Sequence, residues 1–244
     1  QVSVSEFFLK NRHLLGFDNP LKALSTTVKE LVDNSLDACE EMQVLPEILV
    51  ELRQTAENKF LIIVEDNGPG ITKEQLPNVF ARLLYGSKFH AMKQGRGQQG
   101  IGVSASILYG QLTTGKPARI TSRIDAKHPA HFIELRINTA KNEPDVLTEK
   151  EIEWLNKQHG IRVEIELEGK YQKGKLSVDE YMKQSAISNP HAEFTYINPL
   201  KERVAYKRAT NQMPKPAKKI QPHPHGIELG ALMQMMKATK AKTM

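Results

Sequence analysis

The chain of 244 residues has a single cysteine, Cys39, so an internal disulfide is excluded and a reducing, cytoplasmic setting is expected. No apolar run approaches the ~20 residues of a membrane-spanning helix, and no secretory signal pattern is present, so no membrane partner is expected. No segment repeats at a fixed period, which excludes a solenoid or propeller. Excess charge is missing from the first 200 residues, where 24 Lys/Arg meet 26 Asp/Glu.

The charge is instead concentrated at the far end. Residues 201–244 hold ten Lys/Arg and two Glu, giving +8 within a total of +6. A basic segment of this kind suits a nucleic-acid partner, and it serves equally as a solubilising tail. With 39% hydrophobic residues, the chain can bury the core of one large domain, with or without appendages.

Apolar residues recur at helical spacing from Leu21 to Met42, through Leu24, Val28, Leu31, Ser35, Ala38 and Met42, which predicts a helix with one core face, ended by Pro46. Two β-like runs, Glu47–Leu52 and Phe60–Glu65, follow, and the second runs into the turn sequence Asp66-Asn-Gly-Pro-Gly70. Thr72-Lys-Glu-Gln75 reads as a capping box for a short helix. Residues 81–100 read as a lid loop, 102–113 as a helix, and further strands are expected at Ala118–Ile124, His131–Asn138, Ile161–Glu168 and Glu193–Ile197. A helix containing Val178, Tyr181 and Met182 precedes Asn189-Pro190. Early helices and bunched later strands predict an α+β sandwich rather than βαβ alternation. Four prolines among lysines over 212–226 read as a linker, and 227–244 as the start of a further helical element.

Three groups of residues carry chemistry. On the first long helix Glu30, Asp33, Asn34 and Asp37 fall on one face, away from the Leu24/Val28/Leu31 stripe. A carboxylate there can take a proton from water and the neighbouring amide oxygen can hold Mg²⁺; the same face is also an ordinary solvated one. Asp66, at the end of an apolar strand with Gly68 and Gly70 beside it, can accept a hydrogen bond from a flat base with an exocyclic amine, and the same residues make a plain turn. Gly95-Arg-Gly-Gln-Gln-Gly-Ile-Gly102 opens a helix beginning with Val103, and glycine lets bare N–H groups approach an anion at a helix N-terminus. Gly95-x-Gly97-x-x-Gly100 matches the dinucleotide fingerprint in letters, but the preceding His90-Ala-Met-Lys-Gln94 is no apolar strand. Gly110-x-x-x-x-Gly115-Lys116 is followed by Pro117, so the P-loop hydroxyl is missing.

The order and spacing of these three groups resemble the GHKL ATPases, the superfamily of gyrase-type topoisomerases, heat-shock chaperones, histidine kinases and MutL. The nearer resemblance is to the B subunits of topoisomerase VI, the archaeal type IIB enzymes. It rests on Thr27-Val-Lys-Glu-Leu-Val-Asp-Asn-Ser-Leu-Asp-Ala-Cys39, Val79-Phe-Ala-Arg-Leu-Leu-Tyr-Gly-Ser-Lys88, Arg96-Gly-Gln-Gln-Gly-Ile-Gly102, Met213-Pro-Lys-Pro and Pro222-His-Pro-His-Gly-Ile-Glu-Leu229.

This resemblance implies a two-layer GHKL (Bergerat) sandwich with helices on one face of a mixed sheet, over residues 17–211. It implies ATP and Mg²⁺ as ligands, Glu30 as general base and Asn34 as Mg²⁺ ligand. Asp66, with Gly68 and Gly70, would meet the adenine, and Ser87 and Lys88 would reach the nucleotide from the lid. Arg96, Gly97, Gln98, Gln99, Gly100, Ile101, Gly102 and Val103 would wrap the phosphates.

It further implies an N-terminal arm (residues 1–16) exchanged in an ATP-dependent homodimer that traps double-stranded DNA. DNA cleavage would belong to the A subunit of topoisomerase VI in an A2B2 heterotetramer. Residues 227–244 would begin a helix-two-turn-helix domain that the chain does not complete, and the transducer domain whose lysine reaches the γ-phosphate would lie beyond it. The expectation is ATP binding with slow hydrolysis. One departure stands out: the Gly-Thr pair common in the superfamily is Gly160-Ile161 here, without the hydroxyl. A chaperone or mismatch-repair ATPase, or a nucleotide-binding module without turnover, remains an alternative.

Overall fold

A computed structural model describes residues 4–83, 85, 96, 101–155, 157–216 and 229–238. The long helix expected from periodicity is α2 (Pro20–Glu41), preceded by the short α1 (Val4–Asn11). Asn19 caps α2: its Oδ1 accepts from the Lys22 N–H at 2.9 Å, and Pro20 follows in the first turn, where its missing N–H costs nothing. The helix ends before Pro46 acts. Gln43 adopts φ 56°, and the Val44 N–H returns to the Cys39 carbonyl at 2.9 Å, which closes the last turn.

Eight strands form one sheet: β1 (Glu47–Ala56), β2 (Lys59–Glu65), β3 (Ala118–Arg123), β4 (Ala130–Asn138), β5 (Glu143–Ile152), β6 (Gly160–Glu168), β7 (Glu193–Ile197) and β8 (Arg203–Tyr206). Their order is β5-β4-β3-β6-β2-β1-β7-β8. Only β1 and β7 pair in parallel, so the sheet is mixed and the architecture is the expected α+β sandwich.

The strands alternate sharply. Ile48, Val50 and Leu52 of β1, Phe60, Ile62 and Val64 of β2, and Val163, Ile165 and Leu167 of β6 are buried toward the helices. Apart from the buried Ile63 of β2, the opposite face is largely polar and cross-linked by ion pairs, such as Arg162 with Glu65 at 3.0 Å and with Glu164 at 2.8 Å. Leu24 and Val28 of α2 close one side of the core, and α4 (Gly102–Thr114), buried continuously from Val103 to Gly110, crosses its centre.

Four elements depart from the sequence expectations. The capping box at Thr72 does not start a helix; α3 is Leu76–Ala81, with Gln75 in the cap position making no side-chain bond. A helix begun at Lys73 would place Pro77 in its second turn, where the ring clashes with a carbonyl; begun at Leu76, the proline falls in the first turn. The strands β5 and β8 lack apolar alternation because they are largely exposed edges, held by pairing to β4 and β7. β1 also runs four residues past Leu52, through exposed side chains, to a two-residue turn at Glu57-Asn58.

The helix before Asn189-Pro190 is α5 (Val178–Ser188), and a last helix, α6, spans Leu229–Ala238. Within the expected N-terminal arm, Phe8 is fully buried and tilts against Phe17 at 5.7 Å, which in turn meets Tyr109 at 5.1 Å. Residues 217–226 of the expected linker lie outside the described residues.

Candidate functional site

The fold brings together the three groups that the sequence spaces 30 to 40 residues apart. α2 runs along one wall of a cavity of about 360 Å³, the turn after β2 forms one end, and the first residues of α4 form the other wall. Glu30, Asn34, Asp66, Gly70, Gly102 and Val103 all line it. Leu31, Ala38, Val64, Ile71, Ile161 and Val163 supply an apolar lining of the kind that suits a flat ring.

Asp66 sits one residue past β2 and is 5% exposed. Its Oδ1 accepts the N–H of Gly68 at 2.9 Å and of Ile161 at 3.1 Å, and its Oδ2 accepts the hydroxyl of Ser35 at 2.7 Å. A carboxylate has about four acceptor positions. Among the described residues three are filled, which leaves one on Oδ2 of a residue that lines the cavity. Burial raises the Asp66 pKa, and the three donors and Lys157 oppose that shift.

The approach of β6 to this turn requires Gly160: its φ is 140°, and a Cβ there would lie 2.1 Å from the Asp66 carbonyl oxygen. His159 Nδ1 donates to the Gly68 carbonyl at 2.8 Å, fixing the turn from outside the cavity.

At the other end, the Glu30 side chain lies directly against the start of α4. A Cβ on Gly102 would fall 1.7 Å from Glu30 Oε2, so only glycine leaves the carboxylate where it is. Burial raises the Glu30 pKa, and the like charge of Asp33 adds to it, against a smaller opposing effect of Lys29. Asp33 is raised by burial too, and accepts the Tyr181 hydroxyl at 3.2 Å.

The first N–H groups of an α-helix have no acceptor within it, and Ile101, the cap of α4, offers no side-chain acceptor. The helix N-terminus therefore presents donors and partial positive charge to the cavity, beside a carboxylate able to take a proton. Asn34 is exposed on the same wall, with its amide oxygen available to a hard cation. Among the described residues, no group of three or more His, Cys, Asp or Glu could hold a metal alone.

Gly68 and Ile101 stand behind the lining rather than in it. Arg96 is elsewhere. Its guanidinium bonds Asp37 at 2.9 Å, both Glu40 oxygens at 2.7 and 2.8 Å and Asn189 Oδ1 at 2.7 Å, and its own N–H reaches Asp37 at 3.1 Å. The side chain is thereby committed to α2 and to the residue capping α5. Ser87, Lys88, Gly97, Gln98, Gln99 and Gly100 lie outside the described residues. Sequence reasoning missed Ser35, which helical periodicity assigns to the core face, and Tyr181 and Asn189, which no local pattern connects to α2.

The profile of the histidine kinase-, DNA gyrase B- and HSP90-like ATPases matches residues 22–161. The chain belongs to that ATPase family. Its relatives include the B subunit of type 2 DNA topoisomerase 6 from Methanococcoides burtonii, 56% identical over 98% of this chain and 38% of the relative. The protein of the same name from Archaeoglobus fulgidus is 51% identical over 100% of this chain and 40% of the relative. The chain thus spans about two-fifths of the length of these curated relatives.

Among solved structures, the 43K ATPase domain of Thermus thermophilus gyrase B, in complex with an aminocoumarin, superposes with a TM-score of 0.55 at 15% identity, over 84% of this chain and 51% of that one. The topoisomerase IV ATP-binding domain of Francisella tularensis, in complex with a small-molecule inhibitor, gives 0.51 at 15% identity, over 84% and 97%. These two likenesses concern the fold.

Proposed function

We propose that this chain is the ATP-binding and hydrolysing part of the B subunit of a type IIB DNA topoisomerase. It closes as an ATP-dependent homodimer on a DNA duplex, while a separate A-type partner cuts. The observation that carries this reading is one cavity that has, among the described residues, an open acceptor on Asp66 at one end and Glu30 against a helix N-terminus without a side-chain cap at the other. Those two ends suit the two ends of ATP.

Asp66 accepts the adenine amine. The N–H groups at the start of α4 hold phosphate oxygens. Glu30 orients the attacking water and takes its proton, and burial favours the protonation state it must reach. Asn34 would hold Mg²⁺ by its amide oxygen; when bound, the ion offsets the charge of the phosphates. The remaining ligands of a hard, well-hydrated cation would be water and phosphate oxygen, which agrees with the absence of a protein cage among the described residues.

Replacing Glu30 by Gln tests the central assignment. Nucleotide affinity should change little, and single-turnover hydrolysis should fall by about 10²-fold or more. The wild-type rate should decline on the acid side at a pH above the ordinary carboxylate range, because the Glu30 pKa is raised. Loss of binding together with turnover would show that Glu30 holds the site together rather than acting as its base.

A further inference from the structure

The end of the cavity at Asp66 also contains a hydroxyl, contributed by α2. Where Ile161 offers only a backbone N–H, Ser35 of α2 reaches across to Asp66 Oδ2 at 2.7 Å, and both side chains are 5% exposed. Ser35 follows Asn34 directly and both line the cavity: Asn34 is exposed, and Ser35 is buried and bonded to Asp66.

We infer that Ser35 is a positioning residue that holds Asp66 as a pure acceptor and thereby sets selectivity for a purine bearing an exocyclic amine over one bearing a carbonyl. The inference rests on reading the cavity as the nucleotide pocket with Asp66 at the base.

The argument is one of donors and acceptors. An ionised carboxylate can only accept. It pairs with the amine of adenine and repels the carbonyl oxygen of hypoxanthine at the same place. A protonated carboxyl can donate, and would accept hypoxanthine. Burial alone favours the protonated form; donors to the carboxylate oppose it.

Ser35 is the only side chain that donates to Asp66 among the bonds described, and it alone occupies the oxygen that has a free acceptor position. The other charged or titratable groups around this turn are few. Cys39 lies on α2 and is itself disfavoured as a thiolate by burial and by Asp66. Lys157 is engaged with Glu65 at 3.2 Å, and His159 is bound to the Gly68 carbonyl. None of them replaces a hydroxyl at Oδ2.

The test is calorimetric titration of the chain with Mg·ADP and with Mg·IDP, which differ at the base in amine against carbonyl at C6 and in a bare N1 against an N1–H, between pH 5.5 and 8. Wild type should prefer ADP at every pH. Ser35→Ala should reduce that preference by about tenfold, the worth of one buried charge-assisted hydrogen bond, and most at the acid end, where IDP binding should gain. Ser35→Thr, which keeps the hydroxyl, should restore the preference.

An unchanged ratio in Ser35→Ala across the range would overturn the inference. Asp66→Asn separates the two levels. If it alters the ratio while Ser35→Ala does not, Ser35 is a structural residue and the base site stands. If neither variant alters it, Asp66 does not meet the base and the underlying reading fails with the inference.

Discussion

At the scale of single residues, the chemistry of the cavity depends on what is missing as much as on what is present. Glu30 keeps its position because Gly102 has no Cβ, and Asp66 keeps its place beside β6 because Gly160 has none. Gly102→Ala is therefore informative. Gly102 is the first residue of α4, outside the helix interior where glycine costs about 1 kcal/mol relative to alanine, so the change leaves α4 itself little affected. The added methyl would nonetheless overlap the Glu30 carboxylate, which must swing away from the helix N-terminus. Hydrolysis should fall by about 10- to 100-fold, as misplacement of the proposed base would cause, while the melting temperature holds. A parallel loss of stability and activity would instead mean that α4 had moved. The motif Glu30-x-x-Asp33-Asn34 and the glycine run were legible as letters in the sequence. Their contact was not, because it depends on how α2 and α4 cross.

At the scale of elements, legibility followed the strength of the apolar period. α2, α4, β2 and β6 bury one face or more, and their patterns state it. β5 and β8 are edges with exposed side chains, so their existence comes from backbone pairing that leaves no mark on composition. Ser35 sits on the buried stripe of α2, and helical spacing reads such a residue as core. Arg96 shows the reverse case: it stands in a glycine-rich stretch whose sequence suggests phosphate binding, yet its side chain ties two helices together. Through Asp37, Glu40 and Asn189 it joins the C-terminal half of α2 to the end of α5, and His191 adds a contact to Glu40 at 2.9 Å.

Removing one partner of such a half-buried cluster leaves two carboxylates facing each other. Arg96→Ala should cost about 1–3 kcal/mol of stability with no nucleotide present, a drop of several degrees in melting temperature. A residue that served only to bind phosphate would leave the melting temperature of the nucleotide-free protein unchanged. Comparing thermal melts with and without nucleotide therefore separates clamp from ligand contact.

At the scale of the whole molecule, the uneven charge decides how the proposed dimer closure should respond to salt. The first 200 residues are nearly neutral, and residues 201–244 carry ten Lys/Arg against two Glu. Closing two copies on each other brings two such segments into one assembly, where like charges repel over a Debye length of about 10 Å at 0.1 M salt. A DNA duplex between them reverses the sign, because each phosphate contact releases a counterion, a gain that salt removes. Dimerisation with Mg²⁺ and a non-hydrolysable ATP analogue, followed by light scattering, should therefore strengthen with salt when DNA is absent and weaken with salt when a duplex is present. Asn34→Ala should abolish the nucleotide-dependent dimer under both conditions, since it removes the proposed ligand of the ion that accompanies the phosphates. A dimer that forms equally well in Asn34→Ala, or whose salt dependence has the same sign with and without DNA, would separate self-association from nucleotide binding and from the capture of a duplex.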